Sequence, residues 1–213
     1  MMGLAMSRSV IYDRYFNGLA DGINYQGDGI FKFGKSLIPF NPVNGTILTN
    51  NNFFRWRCGN PAPDPWGSIY SNYYSNYVDL TLDINAAQFY DGRQELYLMV
   101  KSQGWPQTTI GQPLNSIVII TDNTDKTLII SSKNVARKSV AFDMAFPWTI
   151  RAVYDDNDFL SVYLNGSLFT TYQFAVAEAI SGEGSWGLLN YGNWDIDISH
   201  MRLLGDSKSI TVF

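Results

Sequence analysis

Residues 148–174 read WTIRAVYDDNDFLSVYLNGSLFTTYQF, three alternating segments joined by two turn-forming sequences. The alternation predicts strands over 149–154, 159–164 and 167–174. Asn165-Gly166 is a preferred sequence for a type I′ hairpin turn, because both residues tolerate positive φ. Consecutive antiparallel strands with one apolar face have to bury that face against another layer. This stretch therefore predicts an all-β sandwich.

The rest of the chain offers further candidate segments, and about ten to twelve strands are expected in all. Residues 77–84 alternate strictly, as a half-solvated strand does, whereas 95–101 is apolar on both sides and predicts a strand covered on both faces. The other predicted strands are 29–33, 46–49, 53–58, 116–121, 126–131, 140–145, 186–190 and 195–204. In segment 195–204, the apolar side chains change from one face of the strand to the other near Ser199 and His200, which predicts a bulge.

Two predictions concern the organisation of the chain. Residues 29–213 are expected to form one sandwich domain, since no linker divides them. Residues 1–28 lack a clean period, so they are expected to be a partly irregular N-terminal arm or, over 9–15, an edge strand. Residues 174–180 are too short for more than a helical turn in a loop.

Composition excludes several classes of partner. The 213 residues carry 15 Lys and Arg against 19 Asp and Glu, a net charge of −4, which argues against nucleic acid. No apolar run approaches the roughly 20 residues that cross a bilayer, so no membrane insertion is expected. Cys58 is the single cysteine, and the first residues do not resemble a signal peptide; both observations favour folding in a cytoplasm.

The sequence from Trp148 to Ile198 resembles the closing strands of concanavalin A-like lectin and glucanase domains. The residues that carry the resemblance are Trp148-Thr149-Ile150-Arg151-Ala152-Val153-Tyr154, Leu160-Ser161-Val162-Tyr163-Leu164-Asn165-Gly166, Gly184-Ser185-Trp186-Gly187-Leu188-Leu189 and Asp195-Ile196-Asp197-Ile198. The resemblance covers roughly the last sixty residues. It implies a two-sheet antiparallel jelly-roll sandwich whose concave face and rim loops bind or cut glycans.

Glucanases of this type carry Glu-x-Asp-x-x-Glu on one strand, and this sequence lacks it. The glutamates are Glu95, Glu178 and Glu183, and no two have that spacing. Retaining hydrolysis needs two carboxyl groups about 5 Å apart. The pairs Asp79/Asp83 and Asp195/Asp197 are interpreted as solvated edges of a sheet. We therefore expect a protein that is not an enzyme.

Two segments predicted to be loops mix aromatic rings with hydrogen-bonding side chains, as sugar sites and protein interfaces do. The predicted glycan- or partner-binding residues are Trp66, Tyr70, Tyr73, Tyr74 and Tyr77 in the first, Tyr191, Asn193 and Trp194 in the second, and Trp105 as a further wall. His200, the sole histidine, is interpreted as structural.

A metal or cofactor is not expected. The sequences at 122–125 and 155–158 offer oxygen ligands suited to Ca²⁺, but neither has the spacing of a calcium-binding loop. Turn-forming side chains explain both.

These features favour a non-enzymatic virion-associated structural or decoration protein of a bacteriophage with a lectin-like sandwich that binds host-surface glycans. It would be made in the host cytoplasm, and its partners would be other virion proteins or host glycans, as a homo-oligomer or assembly subunit. The alternatives are a stand-alone carbohydrate-binding lectin module, which would be cytoplasmic, and a glycoside hydrolase or polysaccharide lyase of the glucanase-like class.

Overall fold

A computed structural model describes residues 8–15, 31–34, 46–50, 53–57, 66–103, 115–143 and 145–206; at 14, 31–34, 46–50, 53–57, 66–72, 86–91, 93 and 193 it describes the backbone only. The described residues form thirteen strands and no helix. The strands are β1 (Arg8–Tyr15), β2 (Phe31–Gly34), β3 (Thr46–Asn50), β4 (Phe53–Arg57), β5 (Trp66–Ser75), β6 (Val78–Ser102), β7 (Ser116–Asp122), β8 (Thr127–Ser132), β9 (Val135–Ala141), β10 (Trp148–Tyr154), β11 (Phe159–Leu164), β12 (Ser167–Gln173) and β13 (Gly184–Asp206). Accordingly, no helix in these ranges is long and apolar enough to span a bilayer.

Two long strands organise the fold. β6 and β13 pair with each other over most of their length. On its other side, β6 pairs first with β10 and then with β7. On its other side, β13 pairs in turn with β5, β4 and β1. All these pairings are antiparallel, so the two strands run through the whole domain.

The strands form two sheets that share β6 and β13. Sheet A has the order β12-β11-β10-β6-β13-β1 and uses the first part of β6 and the last part of β13. Sheet B has the order β9-β8-β7-β6-β13-β5-β2 and uses the opposite ends of those strands. The β3–β4 hairpin joins the middle of β13.

The inner faces of the two sheets enclose one apolar core. Sheet A contributes residues such as Leu80 and Ile150, and sheet B contributes residues such as Leu98 and Ile119. Burial of such side chains stabilises the fold by about 1.5–3 kcal/mol each. The predicted all-β two-sheet sandwich is confirmed.

The outer face of sheet B also carries buried apolar side chains. Met99, Val118, Ile120, Leu189 and Tyr191 form a second buried apolar cluster there. Every residue of β7 is buried as a result. The predicted double-sided burial of 95–101 is confirmed.

The hairpin turn predicted at Asn165-Gly166 is observed. Asn165 and Gly166 have φ of 48° and 80°, which places both central residues of the turn in the left-handed region. β11 and β12 pair directly across this turn. The predicted bulge near His200 is also confirmed, since the β13–β6 register shifts between Ile198 and His200.

Four predictions of local structure are wrong. Residues 66–75 are not a loop: β5 is an interior strand between β13 and β2. Residues 191–194 lie within β13. The segments 77–84 and 95–101 belong to one strand, as do 186–190 and 195–204. The strand predicted over 140–145 is β9, which ends at Ala141.

At the N-terminus, β1 pairs with β13 over Arg8–Tyr15, so the edge-strand alternative is the one observed there. The rest of the predicted arm lies outside the described residues. The division into 1–28 and 29–213 stays a prediction.

Lys101 is a cation inside the sandwich. Only 4% of the residue is exposed, and its ammonium nitrogen lies 5.1 Å from the centroid of the Tyr154 ring. Burial lowers the pKa of Lys101 below its ordinary value, and Asp158, Asp156 and Asp206 counteract this in part. The charged form is therefore disfavoured in the folded state.

Lys101→Met should raise the melting temperature at pH 7 by a few degrees, because it removes the cost of burying the charge. The folded state holds this proton less tightly than the unfolded state. The free energy of unfolding of the wild type should therefore rise with pH between the lowered pKa of folded Lys101 and the ordinary pKa of the unfolded lysine. The advantage of the variant should thus shrink from pH 7 to pH 10 in calorimetry. An advantage that stays constant over this range would contradict the assignment.

Candidate functional site

The two predicted aromatic segments lie on the neighbouring strands β5 and β13 of sheet B and meet at Trp66 and Tyr191. The backbones of Trp66, Tyr70 and Tyr74 lie opposite Tyr191, Gly187 and Ser185. The prediction that these segments form separate loops is wrong, but their proximity is a feature of the sheet. For Trp66, Tyr70 and Asn193 only the backbone is described, and Trp105 lies outside the described residues.

The described aromatic residues of the predicted set differ in accessibility. Tyr74 is 45% exposed, whereas Tyr73, Tyr77 and Tyr191 are buried and Trp194 is 0% exposed. Trp194 belongs to the inter-sheet core. The Trp194 side chain lies between the two sheets, so it offers no surface to a ligand.

Tyr73 and Tyr77 have structural partners. The Tyr73 hydroxyl donates to the backbone carbonyl of Asp206, and the Arg8 guanidinium lies 3.6 Å from the centroid of the Tyr77 ring. Burial raises the pKa of both phenols. Both tyrosines thus contribute to the junction of β1, β5 and β13.

A cluster that the sequence did not reveal lies on the outer face of sheet B. We call Glu95, Tyr97, Asp122 and Tyr191 the Glu95 cluster. Glu95 is the register partner of both Asp122 on β7 and Tyr191 on β13. Directly opposite residues share one face of a sheet, with Cβ atoms about 4.5–5.5 Å apart. Three strands therefore bring these side chains together.

The members of the Glu95 cluster contact one another. The Tyr97 hydroxyl donates to Glu95 Oε2. The rings of Tyr97 and Tyr191 meet edge to face, with centroids 6.5 Å apart. Tyr97 is half-buried, whereas the other three residues are buried. The cluster presents its partly exposed ring beside two carboxylates.

Amide and hydroxyl groups adjoin the Glu95 cluster at the turn between β7 and β8. Asn123 Nδ2 donates to Gln94 Oε1 at 2.5 Å, and Lys126 Nζ donates to Asn123 Oδ1 at 2.9 Å. The backbone N–H of Gln94 donates to Thr124 Oγ1 at 3.2 Å. Thr124 and Lys126 are exposed, whereas Gln94 and Asn123 are half-buried, so polar groups of both kinds lie next to the aromatic pair.

The predicted Asp-rich turns use their carboxylates internally. Asp122 Oδ1 accepts from the amides of Thr124 at 2.8 Å and Asp125 at 3.1 Å. Asp155 Oδ1 accepts from the amides of Asn157 at 2.9 Å and Phe159 at 3.0 Å. In the part of the chain that the structure describes, no group of three or more His, Cys, Asp or Glu residues could hold a metal ion.

The interpretation of the aspartate pairs as solvated is wrong for three of the four. Asp79 is buried and accepts from Arg151 Nε at 2.8 Å and Nη2 at 2.7 Å. Asp195 and Asp197 are also buried. Asp83 is the partly exposed member.

The two carboxylates of the Glu95 cluster have partners within the chain. Asp122 accepts from amides of its own turn, and Glu95 accepts from Tyr97. An aromatic ring beside fixed carboxylates and amides is the arrangement that orients a hydroxyl-rich ligand. The cluster could not be identified from the sequence, because Glu95 and Asp122 become neighbours only through the register of the strands that carry them.

Neither the protein family models nor the curated proteins include a match to this chain. Solved structures do match. The β-glucanase of Bacillus licheniformis has a TM-score of 0.60 at 16% identity, over 86% of this chain and 95% of that one. SCLam, a non-specific endo-β-1,3(4)-glucanase from family GH16, has a TM-score of 0.61 at 11% identity, over 96% and 94%. The exoplasmic/lumenal domain of VIP36, in its Ca²⁺/Man3GlcNAc-bound form, has a TM-score of 0.56 at 12% identity, over 88% of each chain. At these identities the likeness establishes the fold, a jelly-roll sandwich of the concanavalin A-like kind.

Proposed function

We propose that this protein is a non-enzymatic carbohydrate-binding sandwich whose glycan site is the Glu95 cluster. The observation that carries the proposal is the placement of Glu95 against Tyr97, Tyr191 and Asp122 on one face of sheet B. The fold supports it, since the similar structures include the Man3GlcNAc-bound exoplasmic/lumenal domain of VIP36 as well as glucanases. Hydroxyl groups of a sugar would bond to the carboxylates and the neighbouring amides, while Tyr97 contacts a ring face.

Glu95→Gln tests the site and the reaction together. It keeps the shape of the side chain but removes the charge, so it should weaken binding of a glycan identified on an array by about tenfold to a hundredfold. Titration calorimetry measures the affinity, and chromatography of the oligosaccharide measures turnover. Neither wild type nor variant should cleave the glycan.

Glu183→Gln is the matched control, because Glu183 is exposed and lies outside the cluster. It should bind as the wild type does. Glycan cleavage by the wild type that disappears in Glu95→Gln would replace the lectin proposal with the hydrolase or lyase alternative. Unchanged binding in Glu95→Gln would move the site away from this cluster.

We further propose that the protein acts as a structural or decoration subunit of a virion. What supports this is the exposure of Leu168 and Phe169 on the edge strand β12 and of Val176 just beyond it. Exposed apolar side chains at a sheet edge favour a protein partner.

Leu168→Lys should abolish association with assembled particles in co-sedimentation and leave glycan affinity unchanged. Retained association would contradict this role.

A further inference from the structure

The outer face of sheet A carries an ordered row of polar side chains that the Glu95 cluster does not use. Asp13, Arg202, Thr81, Arg151 and Tyr163 are register partners in succession across β1, β13, β6, β10 and β11. Register partners share one face of the sheet. The row crosses four strand spacings, about 19 Å at about 4.8 Å each.

A second row lies beside the first. Tyr15, His200, Asp83 and Thr149 are register partners across β1, β13, β6 and β10. We call the two rows, together with Asp79, the sheet-A ribbon.

Neighbouring side chains hold one end of the ribbon in place. The Arg151 guanidinium makes two bonds to Asp79 and lies 5.3 Å from the centroid of the Tyr163 ring. Thr149 Oγ1 donates to Asp83 Oδ1 at 2.6 Å. Groups fixed in this way lose little conformational freedom when a ligand binds.

His200 holds the other end. Its Nδ1 lies 3.2 Å from Asp83 Oδ2, and its Nε2 lies 2.7 Å from Asp13 Oδ1. Arg202 Nε lies 3.6 Å from Asp13 Oδ2. The imidazole therefore connects β1 to β6 across β13, and its neighbours on the face are carboxylates.

An exposed aromatic ring stands at the β1 end of the ribbon. Tyr15 is 62% exposed, and its ring stacks on His200 with centroids 4.0 Å apart and an interplanar angle of 10°. Because one face of the Tyr15 ring covers the imidazole, the other is open to a ligand. Beside it, the side chains of Asp13 and Arg202 are 41% and 43% exposed.

The charges of the ribbon indicate the ligand. Three carboxylates, of Asp13, Asp79 and Asp83, lie among the guanidinium groups of Arg151 and Arg202. This near balance selects neither polyanions nor polycations. Dense, fixed donors and acceptors with an open ring face match an uncharged, hydroxyl-rich chain.

We propose that the sheet-A ribbon is a second carbohydrate-binding surface, which takes a linear uncharged oligosaccharide with one sugar ring stacked on Tyr15. The ligand class rests on the proposed function, and the site is separate from the Glu95 cluster. One chain would then hold two glycan segments, one on each outer face of the sandwich.

The test counts binding sites by titration calorimetry, with a neutral oligosaccharide that the wild type binds on an array. Wild type should bind two molecules per chain, and Tyr15→Ala should bind one, because loss of the ring weakens the sheet-A site about tenfold or more. Glu95→Gln should retain the sheet-A site. Tyr15→Phe keeps the ring and should keep both sites, and the site that Tyr15→Ala retains at the Glu95 cluster shows that this variant is folded.

The outcomes separate the two proposals. If the wild type binds only one molecule and Tyr15→Ala binds it equally well, the second surface is overturned and the Glu95 cluster stands. A loss of all binding in Glu95→Gln would do the same. No binding of any neutral glycan by the wild type would overturn the proposed function, and with it the ligand of the ribbon. Binding that falls in Tyr15→Ala and persists in Glu95→Gln supports the sheet-A site.

Discussion

Trp194→Ala should lower the free energy of unfolding by about 3–5 kcal/mol, the cost of removing a large side chain from a packed core. The residue is 0% exposed and belongs to the inter-sheet core. It lies on β13, the strand that both sheets share, so the core cannot collapse around the cavity without moving both sheets. For a domain of this size the melting temperature should fall by roughly 10 °C or more.

Tyr74→Ala is the matched control, because both residues are aromatic and both were predicted to bind a ligand. Tyr74 is 45% exposed, so the variant should stay within about 0.5 kcal/mol of the wild type. Chemical denaturation monitored by circular dichroism measures both. Equal midpoints for the two variants would show that Trp194 is not a core residue.

Arg151→Met should produce the next largest loss of stability, about 2–3 kcal/mol. It removes the bidentate partner of Asp79, which is only 4% exposed, and leaves a carboxylate without its guanidinium. The estimate lies below the cost of breaking a fully buried pair, because the Arg151 side chain is half-exposed. The hydrogen bonds to Asp79 also raise the pKa of Arg151.

A double-mutant cycle checks the assignment. Asp79→Asn combined with Arg151→Met should recover part of the loss, because the amide does not need a counter-charge. Lys126→Ala is the control, since its 3.9 Å contact with Asp143 is exposed and should contribute less than about 0.5 kcal/mol. Additive effects in the cycle would contradict a coupled pair.

The sequence predicted the fold where local chemistry decides the structure. Asn165-Gly166 requires a tight turn, and the strict alternation over 77–84 places its apolar side chains on the core face, although Asp79 on the other face is buried as well. It failed where tertiary pairing decides. Residues 66–75 contain many Ser, Asn and Tyr residues, and they form a strand because β13 and β2 supply partners on both sides.

The candidate site could be predicted only in part. Tyr191 was identified from its composition, and it does lie in the Glu95 cluster. Glu95 and Tyr97 read as parts of an apolar strand, and Asp122 as part of a turn. Trp194 was misassigned because residue type alone does not tell which side of a strand faces the core.

The sharing of β6 and β13 between the sheets has a consequence for how the chain folds. The pairing of β6 with β13 joins residues about a hundred positions apart. Neither sheet is complete until both of these strands are present. Such distant contacts carry a large entropy cost before any apolar burial offsets it, which places folding in the millisecond-to-second range. On the ribosome, a nascent chain that has emerged only as far as residue 183 would expose the edge of β6 that pairs with β13. Maturation should therefore be abrupt and late, and chaperones should engage the chain until β13 emerges.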